Sequence, residues 1–228
     1  MESLKSNQKK EESKQLIPTT NKAGVQAVAL KPEEKQVFHG SKGSVNWKAP
    51  KCTLKSTKIA RGKDKSYVSK TQTEYKDHPE VLAEKIKVLA KMIKESQLCV
   101  AYTGAGISTN AGINDYASAN KPKNAITNFR LARPTKAHHV ITALINNNHI
   151  MHWCQQNHDG LAQKAGCPKD FVNEIHGSWY DKSNPVVKMS GSLKKENFEC
   201  LNDWVQLQDM VIAVGTSMVG MGSDRIAV

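Results

Sequence analysis

An α/β fold built on a parallel sheet is what this sequence predicts, and three observations carry that reading. Three short apolar runs, at 98–102, 150–154 and 210–214, are nearly continuous rather than alternating, the pattern of strands covered on both faces. Helical periods precede or separate them. The first and third runs pass directly into glycine turns, Gly104-Ala105-Gly106 and Gly215-Thr216-Ser217. Strands alternating with helices in this way form a parallel sheet with helices on both faces.

Residues 1–75 carry no sustained period of 2 or 3.6 and are rich in Lys, Ser, Thr, Gln and Gly. Such a composition does not bury enough apolar surface to offset chain ordering. Residues 1–76 are therefore read as a long extended tail and 77–228 as the globular domain. Order begins near Asp77-His78-Pro79. Pro79 suits a first helical turn, where its missing N–H costs nothing, and Glu80 complements the positive helix end. Leu82, Ile86, Leu89, Ala90 and Ile93 then repeat at helical spacing, with Lys85, Lys87, Lys91 and Lys94 mostly outside the stripe. A second helix opens at Pro134-Thr135 and runs through Ala137, Val140, Ile141, Leu144 and Ile145 to the Asn146-Asn147-Asn148 run. No internal repeat is visible.

The formal net charge of +12 is concentrated in the tail. Residues 1–78 hold 17 Lys and Arg against 8 Asp and Glu, and 41–70 hold nine basic side chains against Asp64 alone. A surface of that kind attracts phosphate or carboxylate partners over long range. Phe38, Trp47 and Tyr67 interrupt the cationic stretch, each ring suited to a shallow pocket on a partner. The expected partner is a large acidic assembly engaged through residues 38–70, either a tubulin-like polymer or nucleic acid. The bland alternative is a solvated tail that keeps the protein in solution. The five cysteines, at 52, 99, 154, 167 and 200, form no C-x-x-C pair, and an odd count does not close a disulfide framework. With no signal-peptide pattern at the start, the expectation is an intracellular protein, cytoskeletal or nuclear and not secreted. No apolar run approaches the roughly 20 residues of a membrane helix, so no membrane partner is expected.

A glycine turn after a buried strand lets backbone N–H groups approach a pyrophosphate without a Cβ in the way. Gly104, Gly106 and Gly112 could serve so, although a G-x-G after a strand is often only a tight turn. The surrounding residues add more. The run AYTGAGISTNAGINDY at 101–116 resembles the cofactor-binding segment of the sirtuin family. Pro134-Thr135, His138, Ile141 and Leu144 resemble the helix that follows it. Gln156-Asn157-His158-Asp159-Gly160-Leu161 with Ala165-Gly166 looks like the family's QNxDGL…AG, Glu174-Ile175-His176-Gly177-Ser178 like its E-L-H-G segment, and Gly215-Thr216-Ser217 like its G-T/S-S loop. The segment opening at Asp77 is closest to the class IV, nuclear branch. Five motifs in order across 77–217 identify the chain as a divergent, truncated member, which implies a truncated Rossmann-like sheet.

The resemblance implies an NAD-dependent protein deacylase. It makes His176 the general base on the nicotinamide ribose, a role that suits imidazole because its pKa lies near working pH. It makes Asn157 and Asp159 partners of that base on the ribose and carboxamide. The remaining cofactor contacts it implies are Gly104, Ala105, Gly106, Asp115, Tyr116, Gln156, Gly215, Thr216 and Ser217. Four departures cut against activity. Family members carry two C-x-x-C pairs for a tetrahedral structural zinc after the histidine, whereas only residues 179–184 stand there, so no zinc is expected. Ala117 replaces an arginine that positions the cofactor, removing a charge and up to five donors. Val187-Lys188-Met189-Ser190-Gly191-Ser192 stands in for the F-G-E loop that pairs with substrate peptide. The sequence given stops at Val228, before the strands that complete the adenine side. The expectation is weakened NAD binding in a pseudoenzyme acting as a structural subunit. The alternatives are an active, divergent deacetylase on histone or tubulin lysines, and an NAD or ADP-ribose sensor without turnover.

Overall fold

The computed structural model describes residues 37–55, 59–61, 68–70, 73–115, 128–188, 190–218 and 221–227. At its centre is a four-stranded parallel sheet of β5 (Cys99–Thr103), β6 (His152–Gln155), β7 (Val172–Glu174) and β8 (Met210–Val214), in the order β7-β6-β5-β8. Strand β5 sits between β6 and β8, and all five of its residues are buried. That is why its sequence is apolar throughout rather than alternating.

Helices cover both faces, as the sequence predicts. One face carries Cys99, Ala101 and Trp153 against Ile141 and Ile145 of α2 (Lys136–Asn146) and Ala162 of α3 (Leu161–Lys164). The other carries Val100, Tyr102 and Cys154 against Leu201 of α4 (Lys195–Leu207) and Ile226 of the turn Ser223–Ala227. Alternate residues of β5 and β6 thus feed two separate cores.

Some boundaries move. The strand expected at 150–154 begins at His152, because Ile150 N–H still donates to Leu144 O and closes the end of α2. Strand β7, helix α4 and the turn at 223–227 are elements that the sequence pattern did not single out.

The largest correction concerns α1 (Pro79–Glu95), which starts with proline in its first turn as expected. Its predicted stripe is not its buried one. Leu82, Ile86 and Leu89 are 48%, 56% and 41% exposed, and Ala90 is exposed too, leaving Ile93 alone of that set buried. The covered face is rotated one residue back, through Val81, Lys85 and Val88, because the tail packs there. Lys85 Nζ donates to Phe38 O at 3.4 Å and pairs with Asp77 at 2.9 Å.

The second half of the tail is itself partly paired. Strand β1 (Lys51–Leu54) lies antiparallel to β4 (Glu74–Lys76), and β2 (Ile59–Arg61) to β3 (Val68–Lys70). Two of the tail aromatics find partners inside the chain. Phe38 meets Tyr75 edge-on at 5.3 Å, and Trp47 meets the His39 ring at 5.5 Å. Tyr67 lies outside the described residues. No helix among the described residues is long and apolar enough to cross a membrane.

Candidate functional site

The chemistry-bearing residues gather where β5, β6, β7 and β8 end, because parallel strands deliver all their C-terminal loops to one edge of the sheet. The loop after β5 and the loop after β8 are neighbours and are tied together. Gly104 N–H donates to Val214 O at 3.3 Å and Gly106 N–H to Gly215 O at 2.8 Å. A Cβ on Gly106 would lie 2.8 Å from Gly215 Cα, and one on Gly215, at φ +62°, would lie 2.6 Å from Ile107 N. Contact between the two loops therefore requires both glycines.

Ser108, which sequence reasoning did not single out, organises the next layer. Its hydroxyl donates to Asp159 Oδ2 at 2.6 Å and accepts from Asn157 Nδ2 at 2.9 Å. Asn157 Nδ2 also donates to Gly104 O at 3.1 Å, and Asp159 Oδ1 accepts Leu161 N–H at 3.0 Å. The fourth member is His138. Thr135 N–H donates to its Nδ1 at 3.1 Å, so the ring proton sits on Nε2, 3.5 Å from Ser108 Oγ. Burial holds the His138 pKa down, against the opposing pull of Asp159. Ser108, Asn157, Asp159 and His138 are all buried.

His176 stands at the turn after β7, half-buried. Its Nε2 lies 3.4 Å from Ser223 Oγ, and its ring is 6.4 Å from that of His158. His158 Nδ1 contacts Gly177 O at 2.9 Å, and its ring leans on Trp179, which stacks on Phe129 at 4.8 Å. Residues 178–184 form a tight loop, closed by Ser178 N–H donating to Asn184 O at 2.8 Å. Val187 N–H, at the start of the stretch that replaces F-G-E, donates to His176 O at 2.9 Å. Gly177 is needed here: a Cβ would fall 2.2 Å from Pro185 O. Beneath the loop, burial pushes the Glu174 carboxyl pKa up, and the buried Gln155 amide has no hydrogen-bond partner among the described residues.

Of the residues read from sequence, Asn157 bonds Gly104, Gly106 bonds Gly215, Gln156 accepts a 2.8 Å hydrogen bond from Thr216 Oγ1, and Asp159 meets Asn157 through Ser108. Ala105 and the exposed Ser217 lie on the same two loops, and Asp115 ends the described part of the following segment. Tyr116 and Ala117 lie outside the described residues. Tyr102, Ser108, His138 and Ser223 were missed as site residues. Tyr102, Ser108 and His138 carried a signal, since all three stand inside quoted motifs, whereas Ser223 carried none.

The model of the Sir2 family matches residues 121–186. NAD-dependent protein deacetylase 2 of Caldanaerobacter subterraneus is 32% identical over 193 residues, which is 58% of this chain and 76% of that protein. The chain belongs to the Sir2 family. Drosophila melanogaster NAD-dependent protein deacetylase Sirt6 is 41% identical over 116 residues, covering 46% of this Sir2-family chain and 36% of that protein. Rat sirtuin-7 is 35% identical over 129 residues, covering 53% and 32%. The chain thus spans about a third of the length of these two relatives. The fold also matches a solved Sir2 bound to a p53 peptide and NAD+, at TM-score 0.54 and 22% identity over 62% of this chain and 80% of that one.

The family binds NAD, and the residues of this Sir2-family member fit that cofactor in part. Ala105, Thr216 and Ser217 stand on the two loops that the motif match assigns to the phosphates, and Asn157, Asp159 and His176 stand in the loops after β6 and β7. Yet Gly106 N–H cannot reach a phosphate without releasing Gly215 O, and Asn157 and Asp159 are committed to Ser108 and the backbone. Among the described residues, no group of three His, Cys, Asp or Glu side chains is placed to hold a metal ion.

Proposed function

We propose that this Sir2-family chain is a pseudoenzyme, a structural subunit held on a large polyanionic assembly by its basic segment. Its cofactor loops are closed on one another rather than open to a dinucleotide. The observation that carries the reading is the Gly106 N–H to Gly215 O bond at 2.8 Å, seconded by the internal commitment of Asn157 and Asp159. Lys42, Lys48, Lys51 and Lys55 are exposed along the tail, which supports its role as a cationic contact. Long-range attraction of that kind weakens as salt rises.

A second reading is favoured by the retention of Asn157, Asp159 and His176 within the family's motifs: an NAD-dependent deacetylase of histone or tubulin lysines. A third, sensing of NAD or ADP-ribose without turnover, separates from both in one experiment. Calorimetric titration with NAD and ADP-ribose is followed by a deacylase assay on a panel of acyl-peptides. The pseudoenzyme reading expects NAD affinity weaker than about 1 mM and no product. Turnover on any peptide overturns it in favour of the second reading, and tight binding without product in favour of the third. Co-sedimentation with microtubules, and retention on duplex DNA or RNA, then distinguish a cytoskeletal from a nuclear assembly.

A further inference from the structure

Helix α1 carries an apolar surface that continues into a groove. Leu82, Ile86 and Leu89 recur at one-turn spacing along the helix, and each is about half exposed. Single exposed apolar side chains are ordinary on a protein surface, but a continuous stripe of large ones marks a contact. Leu89 belongs to both features. With Val88 and Met92 it lines a groove of about 350 Å³ between α1 and the 39–47 segment. Across the groove stand the rings of His39 and Trp47, which meet edge-on at 5.5 Å. Lys42 and Lys85 complete the lining.

Charge decides what such a surface accepts. Residues 37–95 hold 14 Lys and Arg against 6 Asp and Glu. Three lysines of α1 are already matched: Lys85 by Asp77, Lys87 by Glu84 and Lys91 by Glu95. Lys42 at the groove and Lys94 on the last turn of α1 are exposed and have no ion pair among the described residues. A second copy of this chain would bring the same excess of cations to the contact. Nucleic acid would engage the lysines, but its phosphate and sugar surface gives a stripe of Leu and Ile nothing to bury against. A partner helix with apolar anchors on one face and carboxylates beside them meets both requirements, since helix-in-groove contacts are made through anchors one turn apart. We propose that the stripe of α1 and the groove beside it form a docking surface for an acidic amphipathic helix of a partner protein. The inference rests on the proposed attachment to a polyanionic assembly and deepens it: the assembly is protein, held by apolar burial on α1 as well as by the cations of the tail.

The test titrates the full chain into a fluorescent designed peptide of about 18 residues, five helical turns with Leu on one face and Glu beside it. A version with Lys in place of Glu and a short DNA duplex are titrated alongside, all by anisotropy. The acidic peptide is expected to bind saturably and the Lys version not at all. The triple variant Leu82→Gln, Ile86→Gln, Leu89→Gln should weaken the acidic peptide about 100-fold while keeping its salt dependence, since only apolar burial is lost. Ile86→Gln alone should weaken it about fivefold, which keeps the test open should the triple variant unfold. Lys42→Gln with Lys94→Gln should weaken it less than the triple variant and flatten the salt dependence. A chain that holds the duplex but not the acidic peptide overturns this inference and leaves the polyanion reading standing, whereas failure to hold either at low salt removes both. Acidic-peptide binding that survives the triple variant overturns it too. So does sedimentation of the free chain as a dimer that the triple variant breaks, which would assign the surface to a second copy.

Discussion

Helix α2 sinks into the molecule while helix α1 stands on its surface, although both carry an apolar stripe. In α2 the stripe residues Ile141 and Ile145 are buried against the sheet, and Thr135 and His138 fix the helix start against the glycine loop. In α1 Leu82 and Ile86 face outward, Leu89 is only partly covered, and a rotated face meets the 37–47 segment. The difference teaches that periodicity specifies a face but not what covers it. Cover comes from residues far away in sequence: β5 and β6 for α2, and Phe38 to Trp47 for α1.

That contrast can be broken by substitution. Ile145→Ala in α2 removes a side chain that is 1% exposed and should cost about 2–5 kcal/mol, read as a lowered urea midpoint with unchanged slope. Loss of under about 0.5 kcal/mol, the range of a surface site, would put α2 on the same footing as α1.

The α4 side of the sheet offers a pH test of burial. His152 is stacked on Trp204 at 4.9 Å and touches Cys200 Sγ at 3.6 Å, and burial pushes its pKa down to about 4. The unfolded chain binds a proton near the ordinary value of about 6.5, so between those values the unfolded state holds more protons. Stability contributed by neutral His152 is therefore complete above about pH 6.5 and is lost as pH falls towards 4, on the order of 3 kcal/mol in all. His138, also held neutral by burial, acts in the same direction. His152→Phe should flatten part of the slope in urea melts between pH 4 and 6.5 while keeping the stack on Trp204. An unchanged slope would mean that water reaches this ring.

Smaller effects test the rotation of α1. Val81→Ala, at a position 3% exposed, should cost about 1–2 kcal/mol, whereas Leu82→Ala, 48% exposed, should stay within about 0.5 kcal/mol. The opposite order would restore the face that periodicity points to. Ile86→Gln, on the most exposed part of the stripe, should be the mildest of all in the free protein.

How much could be read in advance follows from the same contrast. The strands at 98–102 and 210–214, the helix caps and the glycine loops were legible, because each is written in consecutive residues. The proposed roles of His176, Asn157 and Asp159 come from motif order alone; a lone histidine carries no such information. The rotation of α1 was not legible, since Lys85 joins the covered face only through Asp77 and Phe38 O. Ser223 was not legible either. It reaches Tyr102 across 121 positions and His176 across 47, and no local pattern encodes such a contact. Strand β7 has three residues, too short to show a period.

The central claim is that the cofactor loops are closed on each other through Gly106 and Gly215. Backbone amide spectra of the 15N-labelled chain, recorded as NAD is raised to millimolar concentration, test it most directly. The account predicts a Gly106 N–H that exchanges slowly with solvent and stays in place throughout the titration, as a proton held by Gly215 O must. A Gly106 resonance that moves progressively and saturates with NAD, together with those of Thr216 and Ser217, would show that the loops part for the pyrophosphate and would contradict it.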